Sequence, residues 1–177
     1  MDELFNESAV MEFYDDNEKN AFGIFQLALD SFLFNTVSGQ DEELTKKDFE
    51  DQFKLIQSEL DELKEGLLTD DFTEQLDGCV DVLVTVFGFM QRLHNFKGVD
   101  LVKACDLIGQ NNISKFVKDE SVAKQTVEMY KQKGADTYYS FNEKFKLFVV
   151  RDSKTNKVKK PVTFKDVDLS NCFPTLQ

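Results

Sequence analysis

Tryptophan is absent from this 177-residue chain, histidine occurs once, and the two prolines, Pro161 and Pro174, both lie near the end. A lone His94 argues against a histidine-rich metal site and against a Ser-His-Asp triad. Cys79, Cys105 and Cys172 are odd in number and widely spaced. They fit neither a disulfide framework nor a CxxC zinc pattern, and they suit a reducing cytosol. No apolar run reaches the roughly 18 residues of a membrane span. The N-terminal Met1, Asp2, Glu3 and Leu4 are acidic where a secretory signal is basic and then apolar. Basic residues are scarce too: 21 Lys and Arg face 33 Asp and Glu, a net charge of −12. That argues against a nucleic-acid polymer as partner, because such binding rests on many cationic contacts to phosphate. A single nucleotide remains open, since divalent cations reverse the local sign of an acidic site.

What is present is apolar periodicity. With both prolines near the end, the first 135 residues are free to be helical. Phe22, Phe25, Leu29, Phe32 and Leu33 recur at helical spacing and predict a first helix from Asn20 to about Thr36. Phe49, Phe53, Ile56, Leu60, Leu63 and Leu67 form the stripe of a second, with Thr45 as its cap and Gly66 at its end. A third helix is predicted from Phe72 to Leu93, capped by Asp70 or Asp71. It is apolar nearly all round between Val80 and Met90, as a helix buried on most sides would be. Two more helices follow, Val99 to about Phe116 and Ser121 to Lys133. Phenylalanine, at 18 residues, reads as core filling, as do Cys79 and Cys105. Near the end, strands at 145–150 and 158–164 around a polar loop at 152–156 predict a β-hairpin. Eight Lys or Arg and one acid lie between Lys144 and Lys165. The expected fold is mainly all-α: a single domain over 1–177, with a four- or five-helix core at about 20–133 and a basic hairpin and tail at about 140–177.

Carboxylates carry the chemistry. Glu59 and Glu62 lie one turn apart on the second helix, beside its apolar stripe. Asp77 and Asp81 lie four apart on the third, with Glu74 one turn earlier, and Asp81 is set among Val80, Val82, Leu83 and Val84. Either pair alone reads as solvated surface. Together, on adjacent helices joined by a short break, they can face one another. An ionised carboxylate in apolar surroundings is costly unless paired or coordinating metal, and an all-oxygen set is what magnesium prefers.

The stretch from Ile56 to Glu65, followed by Asp71 to Gly88, resembles the MazG-like all-α NTP pyrophosphohydrolase superfamily. Its signature is E-x-x-E and then, after a short spacer, E-x-x-D on the next helix. Glu59 and Glu62 match the first half, Glu74 and Asp77 the second, and Asp81 the acid before the apolar run. Asn111, Asn112, Ile113, Ser114 and Lys115 are similar to the N-M-S-K segment of phage and bacterial members. Asn156 to Pro161, with Phe164, Asp168 and Leu169, is similar to their G-K-V-x-K-P tail. The chain departs from the pattern at Ile113, at Asn156 in place of glycine, and in a long insertion after Lys115.

The resemblance implies that Glu59, Glu62, Asp77 and Asp81 hold Mg²⁺, for which Mn²⁺ can substitute. Glu59 and Glu62 are then catalytic, and Glu74 either backs up a ligand or assists the attacking water. It implies cleavage of an NTP or dNTP between the α and β phosphates to a monophosphate and pyrophosphate. Lys115, Lys157 and Lys160 are candidates to meet phosphate, and Asn112 the base or sugar. It also implies a homodimer or homotetramer, and nucleotide-pool control in the cytoplasm of a bacterial host, phage-encoded by the likeness of the tail. Rival expectations are the same scaffold acting on dUTP or a guanosine alarmone, or a non-enzymatic acidic helical protein, such as a phage-encoded inhibitor, that captures a basic partner.

Overall fold

The computed structural model describes residues 6–40 and 42–174, so the acidic N-terminal stretch lies outside the described residues. In chain order its elements are α1 (Glu7–Val37), α2 (Lys46–Leu68), α3 (Phe72–Lys97), α4 (Leu101–Ile113), α5 (Glu120–Gln132), β1 (Thr137–Asn142) and β2 (Leu147–Asp152). A 3-10 turn follows at Ser170–Cys172. The protein is mainly helical with a small antiparallel hairpin, as the sequence predicts. No described helix is long and apolar enough to cross a membrane. The chain packs as two compact units, one of Met1–Glu18 with Val102–Leu169 and one of Lys19–Leu101 with Ser170–Gln177. α1 starts at Glu7 rather than Asn20. Ala9, Val10, Phe13 and Tyr14 continue the helical spacing, but the polar run at 15–20 hides that continuity in the sequence.

The Lys19–Leu101 unit is organised by the antiparallel pair α2 and α3. Asp48 in the first turn of α2 accepts from Thr45, at 2.7 Å from its N–H and 2.6 Å from its hydroxyl. At the other end the Asp71 N–H donates to the Gly66 carbonyl at 2.9 Å, and Asp70 takes a left-handed φ of 57°, which closes the helix. Asp71 then caps α3, its carboxylate accepting from the N–H groups of Thr73 (2.9 Å) and Glu74 (3.2 Å). Gly66 is therefore inside α2 and does not terminate it. Its role is contact: a Cβ there would stand 2.8 Å from the backbone nitrogen of Gln75 on α3. Gly78 does the same from the other side, where a Cβ would stand 2.8 Å from the Leu63 nitrogen and 2.9 Å from its Cα. The two backbones meet because neither position has a side chain.

Farther along, the Gln52 amide donates to the Thr85 carbonyl at 2.7 Å, and Phe49 packs on Phe89 and Phe96 with centroids 5.5 and 5.4 Å apart. α1 joins through Gln91, whose amide donates to the Phe32 carbonyl and to the Thr36 hydroxyl, each at 3.1 Å. The buried layer here is polar: Ser31, Asn35, Gln52, Gln91 and Arg92. Phenylalanine does not fill it. Phe22, Phe34 and Phe72 stay more than half exposed, at 63, 64 and 75%. The apolar stretch of α3 from Val80 to Met90 is only half-buried apart from Gly88. Cys79 and Cys105 are exposed rather than in the core, while Cys172 is buried. Each exposed cysteine lies on the outer face of its helix, where small apolar character does not secure burial.

The other unit has an apolar centre of Val117, Ala123 and Val150, packed by Val122, Val127, Tyr139 and Phe148. The hairpin differs in place from the prediction. β2 occupies one predicted strand, but its partner is β1, with Thr137 opposite Asp152 and Asn142 opposite Leu147. The segment expected to pair with it makes a short return: Lys159 N–H donates to the Val150 carbonyl and Asp152 N–H to the Lys157 carbonyl, both at 2.9 Å. Basic residues at 157, 159 and 160 and Pro161 keep that segment from extending into a third strand. The tail beyond it is tied to α5 through Val162 N–H to the Thr126 hydroxyl (3.1 Å) and the Tyr130 hydroxyl to the Lys160 carbonyl (3.2 Å).

The close approach of α2 and α3 makes a measurable prediction. G78A should destabilise the protein by about 1–3 kcal/mol in urea unfolding, because a methyl group must push backbone away from backbone. G109A, in α4 where nothing lies within 4 Å of the added carbon, should instead be neutral or stabilising by up to about 1 kcal/mol. Equal effects of the two substitutions would refute backbone contact at Gly78.

Candidate functional site

The α2–α3 contact determines which acidic side chains share a level. Leu63 lies against Gly78, and Gln52 is bonded to Thr85. Between these two rungs α2 carries Glu59 and Glu62, and α3 carries Asp81, with Asp77 one residue beyond the Gly78 rung. Helices rising about 1.5 Å per residue in opposite directions keep these four positions within the same two turns. Glu59 and Asp81 are half-buried, next to the apolar seam, while Glu62 and Asp77 are exposed at its edge.

The electrostatics of Glu59 involves acids of both helices. The Glu59 carboxyl is pushed above the usual carboxylate range, first by burial, then by the charges of Glu62, Asp81 and Asp77 in that order. Residues from both helices therefore act on one carboxyl. Glu74 is not among them. It sits exposed in the first turn of α3, its backbone N–H held by Asp71 and its Cβ beside Gly66. Among the described residues no three His, Cys, Asp or Glu side chains converge closely enough to hold a metal ion as they stand. The donor set nevertheless suits a hard cation. It is all carboxylate, the hard-oxygen chemistry that magnesium prefers.

The four candidate substrate residues, Asn112, Lys115, Lys157 and Lys160, belong to the Val102–Leu169 unit. There the two segments that carry them are tied together, the Asn111 amide donating to the Lys165 carbonyl at 2.7 Å. Lys115 donates to the Asn112 carboxamide oxygen at 2.7 Å. Lys160 is paired with Asp166 and stacks over Phe164 at 4.5 Å. Lys157 is exposed and has no acidic partner among the described residues. Lys159, not singled out in the sequence, pairs with Asp152 at 2.8 Å. That ammonium, with the Thr155 amide, holds the Asp152 carboxyl well below its ordinary range. Asn156 takes a left-handed φ of 58°, a conformation asparagine tolerates, where the resembling tail has glycine.

The role of Gly78 was not read from the sequence, although its place directly after Asp77 and one turn before Val82 on the seam is a signal that was there. The raised Glu59 carboxyl leads to a pH test. A carboxyl whose folded pKa lies above its unfolded one penalises folding above the folded pKa, and the penalty disappears below the unfolded value. E59Q should therefore melt at a higher temperature than wild type at pH 7 in the absence of metal, and the difference should close by about pH 4. A gain that persists unchanged at acid pH would show packing rather than charge relief. No family model, no curated protein and no solved structure matches this chain, so what the site does is read from its own residues.

Proposed function

We propose that the chain is a Mg²⁺-dependent nucleoside triphosphate pyrophosphohydrolase, cleaving an NTP or dNTP between the α and β phosphates to the monophosphate and pyrophosphate. The observation that carries this reading is the raised Glu59 carboxyl, on which Glu62, Asp81 and Asp77 act from two helices. The charges of Glu62, Asp81 and Asp77 disfavour the ionised form of Glu59, and a site that binds a divalent cation gives such a set a use. The E-x-x-E and E-x-x-D spacings at Glu59, Glu62, Glu74 and Asp77 agree with the resemblance to MazG-like enzymes.

In this reading Glu59, Glu62, Asp77 and Asp81 hold the ion. When bound, Mg²⁺ neutralises phosphate charge and lowers the pKa of a water for attack on phosphorus. The carboxylates orient that site, and the apolar neighbours of Asp81 limit the water reaching it. Glu74, which lies outside the group acting on Glu59, keeps only the role that the resemblance implies, backing up a ligand or assisting the attacking water. The resemblance gives Lys115 and Lys157 as candidates to meet phosphate oxygens, and Asn112 as the candidate for the base or sugar. A second copy of the chain is the partner this reading implies, since Phe22, Phe34, Phe53, Leu60 and Leu76 of one unit stay 47–67% exposed. The proposed setting is the bacterial cytoplasm.

Incubation with each NTP and dNTP, with chromatographic resolution of products, tests the activity: monophosphate and pyrophosphate should form with Mg²⁺ or Mn²⁺ and not in EDTA. D81N should abolish turnover, leave the metal-free protein at least as stable, and remove the stabilisation by Mg²⁺, which at a hundredfold excess over Kd amounts to about 2.7 kcal/mol. An active D81N enzyme would overturn the site. K115A and K157A should each lower kcat/KM roughly tenfold at unchanged melting temperature, the loss of one charged hydrogen bond to phosphate.

A further inference from the structure

β2 has two faces. Phe148 and Val150 point to the α5 side, where Val150 is 1% exposed in the apolar centre. By the alternation of a strand, Leu147, Val149 and Arg151 point the other way. They line a cavity of about 470 Å³ closed on its far side by Val10, Phe13 and Tyr14, one face of α1 at i, i+3 and i+4. All of this lies in one compact unit. The start of α1 is anchored there by the Glu12–Lys144 ion pair at 3.2 Å, the Asn6 amide on the Lys144 carbonyl at 3.2 Å, and the edge-on contact of Phe13 with Phe145.

The cavity wall is apolar and aromatic except at two points. Arg151 is half-buried, and its only acceptor among the described residues is the Asn156 carbonyl, at 3.2 Å from Nη1. It has no carboxylate partner among them. A guanidinium with its other N–H groups free, at the mouth of an apolar hollow, lacks a counter-charge. The second point is Asn142, whose carboxamide oxygen is taken by the Phe145 N–H at 3.1 Å, leaving the amide NH₂ as a donor. The size is that of a small-molecule site, and the rings of Phe13, Tyr14, Phe116 and Phe145 favour a flat occupant.

We propose that this cavity binds a small planar aromatic molecule bearing one anionic group, the ring between α1 and β2 and the anion on Arg151. The site takes no part in the proposed hydrolysis and involves no metal ion.

The probe is 2-naphthoate, titrated into the full chain in EDTA by calorimetry and by ligand-observed NMR. Saturable one-site binding below millimolar concentration is expected. R151Q should weaken it roughly tenfold or more, the loss of a charged hydrogen bond, with R151K weakened less. V10F, which places a ring in the hollow, should abolish it, and the neutral analogue 2-naphthylmethanol should bind more weakly than naphthoate. Circular dichroism checks the fold of each variant; should V10F unfold, R151Q and the neutral analogue still decide. No saturable binding, or binding indifferent to both R151Q and V10F (as capture by exposed apolar surface elsewhere would be), overturns the proposal. Loss of Mg²⁺-dependent turnover with naphthoate binding intact would sink the hydrolase reading alone.

Discussion

Everything acidic about the candidate site depends on two helices whose backbones touch. At Gly78 and Gly66 the absence of a side chain lets α2 and α3 approach until the next atoms are main chain. Contact at that distance leaves no freedom of register, because sliding either helix by a turn would drive a side chain into backbone. The level of Glu59 against Asp81 follows from it, and so does the cost of holding like charges together. The Asp70–Asp71 connection contributes in the same direction. One residue in the left-handed conformation ends α2, and the next caps α3, so the reversal leaves little slack.

The two units are built on opposite principles. In one, an apolar centre is enclosed by α5 and the hairpin, and Ala123 and Val150 are almost wholly covered. In the other, Val99 and Cys172 are covered, but the side chains buried among α1, α2 and α3 are amides, a hydroxyl and a guanidinium, with Gln52 and Gln91 bonded to main-chain carbonyls of neighbouring helices, while large apolar side chains remain outside. Burying polar groups in this way requires that each find a partner, which favours one arrangement of α1, α2 and α3 over its neighbours. The apolar surface left over gives such a unit reason to associate.

Much of this was legible beforehand. The stripe from Phe49 to Leu67 predicted α2 within a few residues, and the acid spacing picked out Glu59, Glu62, Asp77 and Asp81, which the structure sets on facing helices. Less legible was anything that depends on a partner distant in sequence. The apolar residues of 158–164 looked like a strand, but β2 had another neighbour available at 137–142. Cys79 looked like a core residue because small apolar residues usually are, yet its position on α3 faces outward. Glu74 fits the acidic spacing and still lies outside the group that acts on Glu59.

The sequence by itself determined the mainly helical class, the course of α2 and the chemical character of the acidic set, because periodicity and side-chain type are local properties. Only the tertiary structure decided that Gly66 is a contact rather than a terminator, that β2 pairs with β1, and that Arg151 faces a hollow closed by the start of α1. Each of these is a choice among sterically possible neighbours. Such a choice is made by the packing of whole elements, and no window along the chain contains it.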